Sequence, residues 1–199
     1  MFIVFEGLDG SGKGTQISML AKRLEHEGAK LALTAEPTQF ATGGLVRDAL
    51  GGLTCRTPSE LAGLFLADRI AHCSNPVSGI GALLKDGCTV ICDRYYYSSF
   101  AYQGMDTDLK WVMDSNLNCP DIIKPDVCIF LDVPPEECDR RIAAGRASRE
   151  IFEQIETIRR IREKYMEIFR LLPEHNIKIV SAVGTPEEIA ERVYAAVTE

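Results

Sequence analysis

The chain has 199 residues, 46% of them hydrophobic and 26% charged, with 22 Lys plus Arg against 29 Asp plus Glu for a net charge of −7. A chain of this length buries a core without staples. The acid surplus excludes a non-specific nucleic-acid binder, which is basic over its contact face, while a local basic cleft stays open.

Phe2–Glu6 is an apolar run read as a buried strand, and Gly7–Thr15 is a glycine-rich turn. Ile17, Leu20, Ala21 and Leu24 then recur at i, i+3, i+4 and i+7, one face of a helix that Gly28 closes. Lys30–Ala35 reads as the second strand, and Leu61–Ala71 as an apolar helix. Thr89–Asp93 and Val127–Val133 are runs of Val, Ile, Cys, Phe and Leu, the mark of buried parallel strands. Ile151, Ile155, Ile158, Ile161, Tyr165, Ile168 and Leu172 trace a long amphipathic helix stopped by Pro173. Lys178–Ala182 is the last strand, and Pro186 opens a final helix with Ile189, Val193 and Val197 inside. Strands separated by helical segments imply crossovers, hence one α/β domain over residues 1–199, with a parallel sheet and helices on both faces. Ala143–Ser148 is small and contains glycine, and reads as a short flap between two helices.

Seven Cys without a CxxC pair, and three His without HExxH, support neither a zinc site nor a disulfide framework. The cysteines on apolar segments such as Thr89–Cys92 and Val127–Phe130 read as small core residues in a reducing compartment. Phe2–Phe5 is apolar at once, without a basic leader, and no apolar run nears the roughly 18 residues that span a bilayer. A cytoplasmic protein is expected.

Gly7-Leu8-Asp9-Gly10-Ser11-Gly12-Lys13-Gly14-Thr15 follows a strand and opens a helix, the context in which G-x-x-x-x-G-K binds phosphate. The glycines let backbone N–H groups point inward, the helix N-terminus adds its positive end, and Lys13 adds a mobile charge. Gly14 stands where the magnesium-binding hydroxyl usually sits, so Thr15 or another residue must serve the metal. The loop by itself means nucleotide binding and no more.

Asp93-Arg94-Tyr95-Tyr96-Tyr97-Ser98-Ser99-Phe100-Ala101-Tyr102-Gln103 leaves the third strand on the same sheet edge. Arg94 suits a phosphate through its planar fork, and Asp93 suits magnesium, directly or through water. A capped helix with an aromatic core face fits the same residues. Glu36-Pro37-Thr38 ends the second strand, with Arg47 beyond it. Phe65, Asp68, Arg69 and His72 share one side of a helix, as a site for a flat heterocycle or as a half-buried helix with an internal charged pair. Of the arginines near the flap, Arg146 and Arg149 fit a lid closing charge over a transferring phosphoryl group, with Arg141 as helper.

In this order GLDGSGKGTQ, EPT, LFLADR, DRYYYSSFAYQG and LDVPPE resemble the thymidylate kinase family, from Phe2 to about Tyr165. The resemblance implies a P-loop nucleoside-monophosphate kinase fold with a five-stranded parallel sheet and a short lid at about 143–149. It implies a homodimer that uses ATP and Mg²⁺ to phosphorylate dTMP. Carried over by motif, the ATP phosphates lie on Gly7, Gly10, Ser11, Gly12, Lys13, Gly14 and Thr15, with Arg141 near. Asp9 lies by the sugar 3′-hydroxyl, and Arg47 and Arg94 grip the acceptor phosphate. Phe65 stacks on thymine, Arg69 bonds its edge, Tyr102 crowds the 2′ position, and Glu36 and Gln103 stand beside them. Gly10 occupies the place where some members carry a catalytic arginine, and those lacking it bring arginine from the lid. Gly14, Ala35 and the EPTQF segment depart from the family pattern. Two rivals remain at this point. One is a kinase for another monophosphate or for a deoxynucleoside, for which Glu36 is the only candidate base. The other is a P-loop nucleotide-binding protein without transfer activity.

Overall fold

The computed structural model describes residues 1–145 and 155–199. Its strands are β1 (Phe2–Gly7), β2 (Leu31–Ala35), β3 (Thr89–Asp93), β4 (Val127–Asp132) and β5 (Ile177–Ser181), all parallel, in the order β2-β3-β1-β4-β5. The described helices are α1 (Lys13–His26), α2 (Ala41–Leu50), α3 (Pro58–Ser74), α4 (Ile80–Lys85), α5 (Tyr96–Asp106), α6 (Leu109–Leu117), α7 (Pro135–Gly145), α8 (Ile155–Leu171) and α9 (Pro186–Thr198). This is the α/β fold of P-loop kinases.

The apolar runs explain which strands are central. β1 is buried throughout and β4 nearly so, while β2 and β5 at the edges are half exposed. Central parallel strands bury both faces, so they read as unbroken apolar runs. α1 packs on α9 along one face of the sheet. On the other, α3, α5 and α8 pack in a row. Phe130 of β4 meets Tyr165 and Phe169 of α8 at ring-centroid distances of 4.8 and 5.1 Å.

Local chemistry sets the helix starts. Thr57 and Glu60 form a capping box before Pro58, and Thr185 and Glu188 repeat it before Pro186. The sequence reading puts no helix at α2, α4 or α6, holds a helix open as one of two readings at α5, and only implies one at α7, before the flap. These are 6 to 11 residues long, and α5 is buried along most of its length. Short or all-round buried helices leave no clean 3.6-residue stripe.

β1, β2 and β3 end together, with Phe5 beside Asp93 and Ala35 beside Asp93 on the other flank. The chain crosses from one side of β1 to the other, so a crevice opens beyond the strands' carboxyl ends. Gly7, Glu36 and Arg94 emerge there.

Candidate active site

The turn after β1 wraps through three left-handed or near-forbidden glycines. Gly7 has φ 149°, Gly10 φ 77° and Gly12 φ 92°. A Cβ at Gly10 would lie 2.8 Å from the Cys138 carbonyl of α7, so the loop needs glycine there for space as well as torsion. Ser11 is buried, and its Oγ has no partner among the described residues. Gly14 and Thr15 are exposed on the first turn of α1. Lys13 Nζ donates to the carbonyls of Gly7 and Leu8, both at 3.2 Å. Burial first, and the Arg94 charge second, lower its pKa to about 8. Arg141 reaches over the loop from α7. Its Nε donates to Glu137 at 2.7 Å, and its Nη1 points at the Gly10 carbonyl at 3.4 Å.

Beside this loop lies a cavity of about 420 Å³, lined among others by Asp9, Glu36, Arg47, Phe65, Arg69, Arg94, Tyr102 and Gln103. All of the proposed acceptor-site residues therefore line one hollow. Arg94 joins it to the phosphate loop. Its Nη2 donates to Asp9 Oδ1 at 2.6 Å, its Nη1 to Ser98 Oγ at 3.0 Å, and its guanidinium carbon lies 5.3 Å from the Tyr102 ring centroid. Asp93 ends β3, and its Oδ1 is buried with no partner among the described residues. Of the expected lid at about 143–149, residues 143–145 are the end of α7, and the rest, with Arg146 and Arg149, lies outside the described residues.

The α3 face divides. Phe65 and Arg69 line the cavity, whereas Asp68 and His72 turn to the β2 side. His72 is thus no part of a heterocycle site. It bridges Thr34 Oγ1 at 2.6 Å and Glu36 Oε1 at 3.0 Å. The other Glu36 oxygen takes Arg69 Nε at 2.8 Å and Nη2 at 2.6 Å. Arg69 also donates to Asn116 Oδ1 at 2.6 Å and to Ser99 Oγ at 3.1 Å. With both oxygens engaged, Glu36 braces Arg69 at the wall of the hollow.

Sequence reasoning passed over Glu6. It is fully buried, and burial pushes its carboxyl above the ordinary range. It accepts the Tyr95 and Ser98 N–H groups at 2.9 and 3.1 Å, Ser98 Oγ–H at 2.6 Å and Tyr165 O–H at 2.8 Å. Burial holds the Tyr165 phenol well above its usual pKa, which keeps it a donor. Glu6 thereby caps α5 from outside and holds the turn at Arg94, whose φ of 67° is left-handed for a non-glycine residue. The signal was present: a carboxylate ending an otherwise apolar strand needs buried donors. Gln39 lines the cavity too. The sequence reading names it only within the EPTQF segment and gives it no role.

The family model described as "Thymidylate kinase" matches residues 5–193. A "Probable thymidylate kinase" of Pyrococcus horikoshii is 37% identical over 203 residues, covering 98% of this chain and 95% of the relative. A protein of the same name from Thermococcus gammatolerans is 37% identical over 208 residues, covering 100% and 96%. One from Methanococcus aeolicus is 40% identical over 196 residues, covering 97% and 91%. With its phosphate loop, its arginine-lined hollow and this match over nearly its whole length, the chain belongs to the thymidylate kinase family.

Proposed function

We propose that the chain transfers the γ-phosphoryl group of ATP to dTMP, giving dTDP and ADP. The observation that carries this reading is the Arg94–Asp9 contact, which joins the phosphate loop to a hollow of nucleotide size. Donor phosphates on Gly7–Thr15 then face an acceptor phosphate held by Arg47 and Arg94. Phe65 offers its ring to the base and Arg69, braced by Glu36, its edge contact. Tyr102 and Gln103 close the sugar side. A monophosphate has a second pKa near 6, so its oxygen is already ionised at neutral pH and no general base is needed. Catalysis is alignment plus charge neutralisation of an in-line transfer, by Lys13, Arg94 and lid arginines Arg146 and Arg149, with Arg141 on the donor side.

No group of three or more His, Cys, Asp or Glu suited to a metal occurs among the described residues. Mg²⁺ is bound through one or two protein oxygens plus substrate phosphates. The buried, unpartnered Asp93 Oδ1 and Ser11 Oγ supply oxygens of the right kind, with Thr15 exposed on the first turn of α1. Bound there, Mg²⁺ would neutralise phosphate charge. We take residues 1–199 as one catalytic domain. No helix among the described residues is long and apolar enough to cross a membrane; we propose a cytoplasmic location on the sequence reading and a homodimer on the family resemblance, the latter checked by sedimentation.

The test is the rate with ATP across dTMP, dUMP, UMP, CMP, AMP and thymidine. Fast dTDP formation from dTMP alone supports the reading. Turnover only with another acceptor, or tight ATP binding without transfer, overturns it. Arg146→Ala and Arg149→Ala should lower kcat far more than they raise the acceptor KM.

A further inference from the structure

Asp68 is 1% exposed, one residue before Arg69 on α3, yet it does not line the hollow. Its carboxylate collects three donors, two from the segment that joins β2 to α2 and one from the first turn of α2. Oδ2 accepts the Thr38 N–H at 2.8 Å. Oδ1 accepts Thr38 Oγ1–H at 2.6 Å and Thr42 Oγ1–H at 2.7 Å. Thr38 Oγ1 in turn accepts the Phe40 N–H at 3.1 Å, so its own hydrogen is committed to Asp68. A buried carboxylate is costly, and three donors converging on it hold a single arrangement.

That arrangement bears on Arg47. Its Nη1 donates to the carbonyls of Pro37 and Thr38, the same peptide stretch that Asp68 pins. Gly43 of α2 packs directly on the Thr38 backbone, so α2 follows wherever Thr38 is set. Arg47 lies one helical turn further along α2 and lines the hollow. Asp68 thus holds Arg47 at two points, through the carbonyls it bonds and through the helix that carries it. Neighbouring Arg69 anchors the start of the segment at Glu36. Consecutive residues of α3 therefore clamp both ends of one wall.

We infer that Asp68 is a positioning residue for the acceptor phosphate, acting through Thr38 and Thr42 on Arg47. This rests on the reading of Arg47 as a phosphate ligand given above. Asp68→Asn cannot serve all three donors. Its amide group must face either the Thr38 N–H or the two hydroxyls.

The experiment is calorimetric binding of dTMP and of thymidine, which lacks the phosphate, to wild type, Asp68→Asn, Thr42→Val, Arg47→Ala and the Asp68→Asn/Arg47→Ala pair. Loss of one charge-assisted hydrogen bond predicts dTMP binding weaker by about tenfold in Asp68→Asn. Thr42→Val should weaken it by roughly threefold, as a side-chain donor is lost without disturbing the backbone contact. Thymidine binding stays at the wild-type value in both. In the Arg47→Ala background Asp68→Asn adds nothing, because the coupled residue is gone. Equal loss for both ligands, an additive double variant, or unchanged dTMP binding in both Asp68→Asn and Thr42→Val overturns the inference. If Asp68→Asn does not fold, Thr42→Val with and without Arg47→Ala carries the same test. If Arg47→Ala itself leaves dTMP binding unchanged, it is the phosphate role of Arg47 that fails, and the positioning role falls with it.

Discussion

Replacing Glu36 with glutamine removes one charge from a buried pair and almost nothing else. The side chains of Arg69 and Glu36 are 1% and 2% exposed, and Arg69 meets Oε2 from Nη2 at 2.6 Å. The glutamine has one carbonyl oxygen. Turned toward Arg69, it keeps an acceptor there and sets its amide group against His72 Nδ1. His72 can then carry its proton on Nε2 and donate to Thr34 Oγ1, 2.6 Å away. The hydrogen bonds survive, so the cost is that of a buried guanidinium without its counter-charge. Removing one partner of a buried pair costs about 3–5 kcal/mol, and the surviving bonds put glutamine near 3. For a chain of this length each kcal/mol moves Tm by about 2–4 °C, so Glu36→Gln should unfold roughly 6–12 °C below wild type. Glu36→Ala strands Arg69 and His72 together and should fall further. Thermal unfolding followed by circular dichroism measures both. A Glu36→Gln protein that melts within about 2 °C of wild type would refute the claim that this charge holds Arg69 in place.

Three further outcomes follow from other contacts. Lys13, lowered to about 8 by burial, should lose its proton above that pH, so kcat/KM for ATP falls with unit slope beyond pH 8. Stability moves the other way. The unfolded chain holds the proton up to the ordinary lysine pKa, so between the two values the Lys13 contribution to stability rises with pH; a flat rate profile to pH 9.5 would contradict the first claim. A Cβ at Gly43 would come within 2.0 Å of the Thr38 carbonyl oxygen, whereas one at Gly44 meets nothing within 4 Å. Gly43→Ala should therefore cost at least about 1–3 kcal/mol and weaken dTMP binding, while Gly44→Ala stabilises by about 0.5–1 kcal/mol, as read from urea midpoints. Glu6→Ala leaves the donors of Tyr95, Ser98 and Tyr165 stranded in the core. It should cost more than about 3 kcal/mol and lower kcat/KM for dTMP by about a hundredfold, and wild-type stability by calorimetry would remove Glu6 as the anchor of Arg94.

The sequence by itself determined the strands, the phosphate loop and the order of the motifs. Each of these is written in short range. A central parallel strand is an unbroken apolar run, as in Val127–Val133, and a phosphate loop is a spacing of glycines before Lys13. The residues lining the hollow are nominated instead through the resemblance to the thymidylate kinase family, whose motifs the chain carries in order. What only the tertiary structure decided is which side chains face the ligand and which hold those that do. Phe65, Asp68, Arg69 and His72 lie within an arc of about 100° on α3, so helix phase alone does not separate them; it is the packed β2 side that takes Asp68 and His72 and leaves Phe65 and Arg69 to the hollow. Glu36, which the sequence offered as a candidate base, is braced between Arg69 and His72, which lie 33 and 36 residues away in sequence. Glu6 meets its donors 89 to 159 residues downstream. No local pattern encodes such partners, since a buried charge is satisfied by whatever the packed layers bring to it. The opening charge balance is resolved in the same way. A chain of net −7 gathers Arg47, Arg69 and Arg94 around one hollow beside Lys13, and only the fold could show where that positive charge collects.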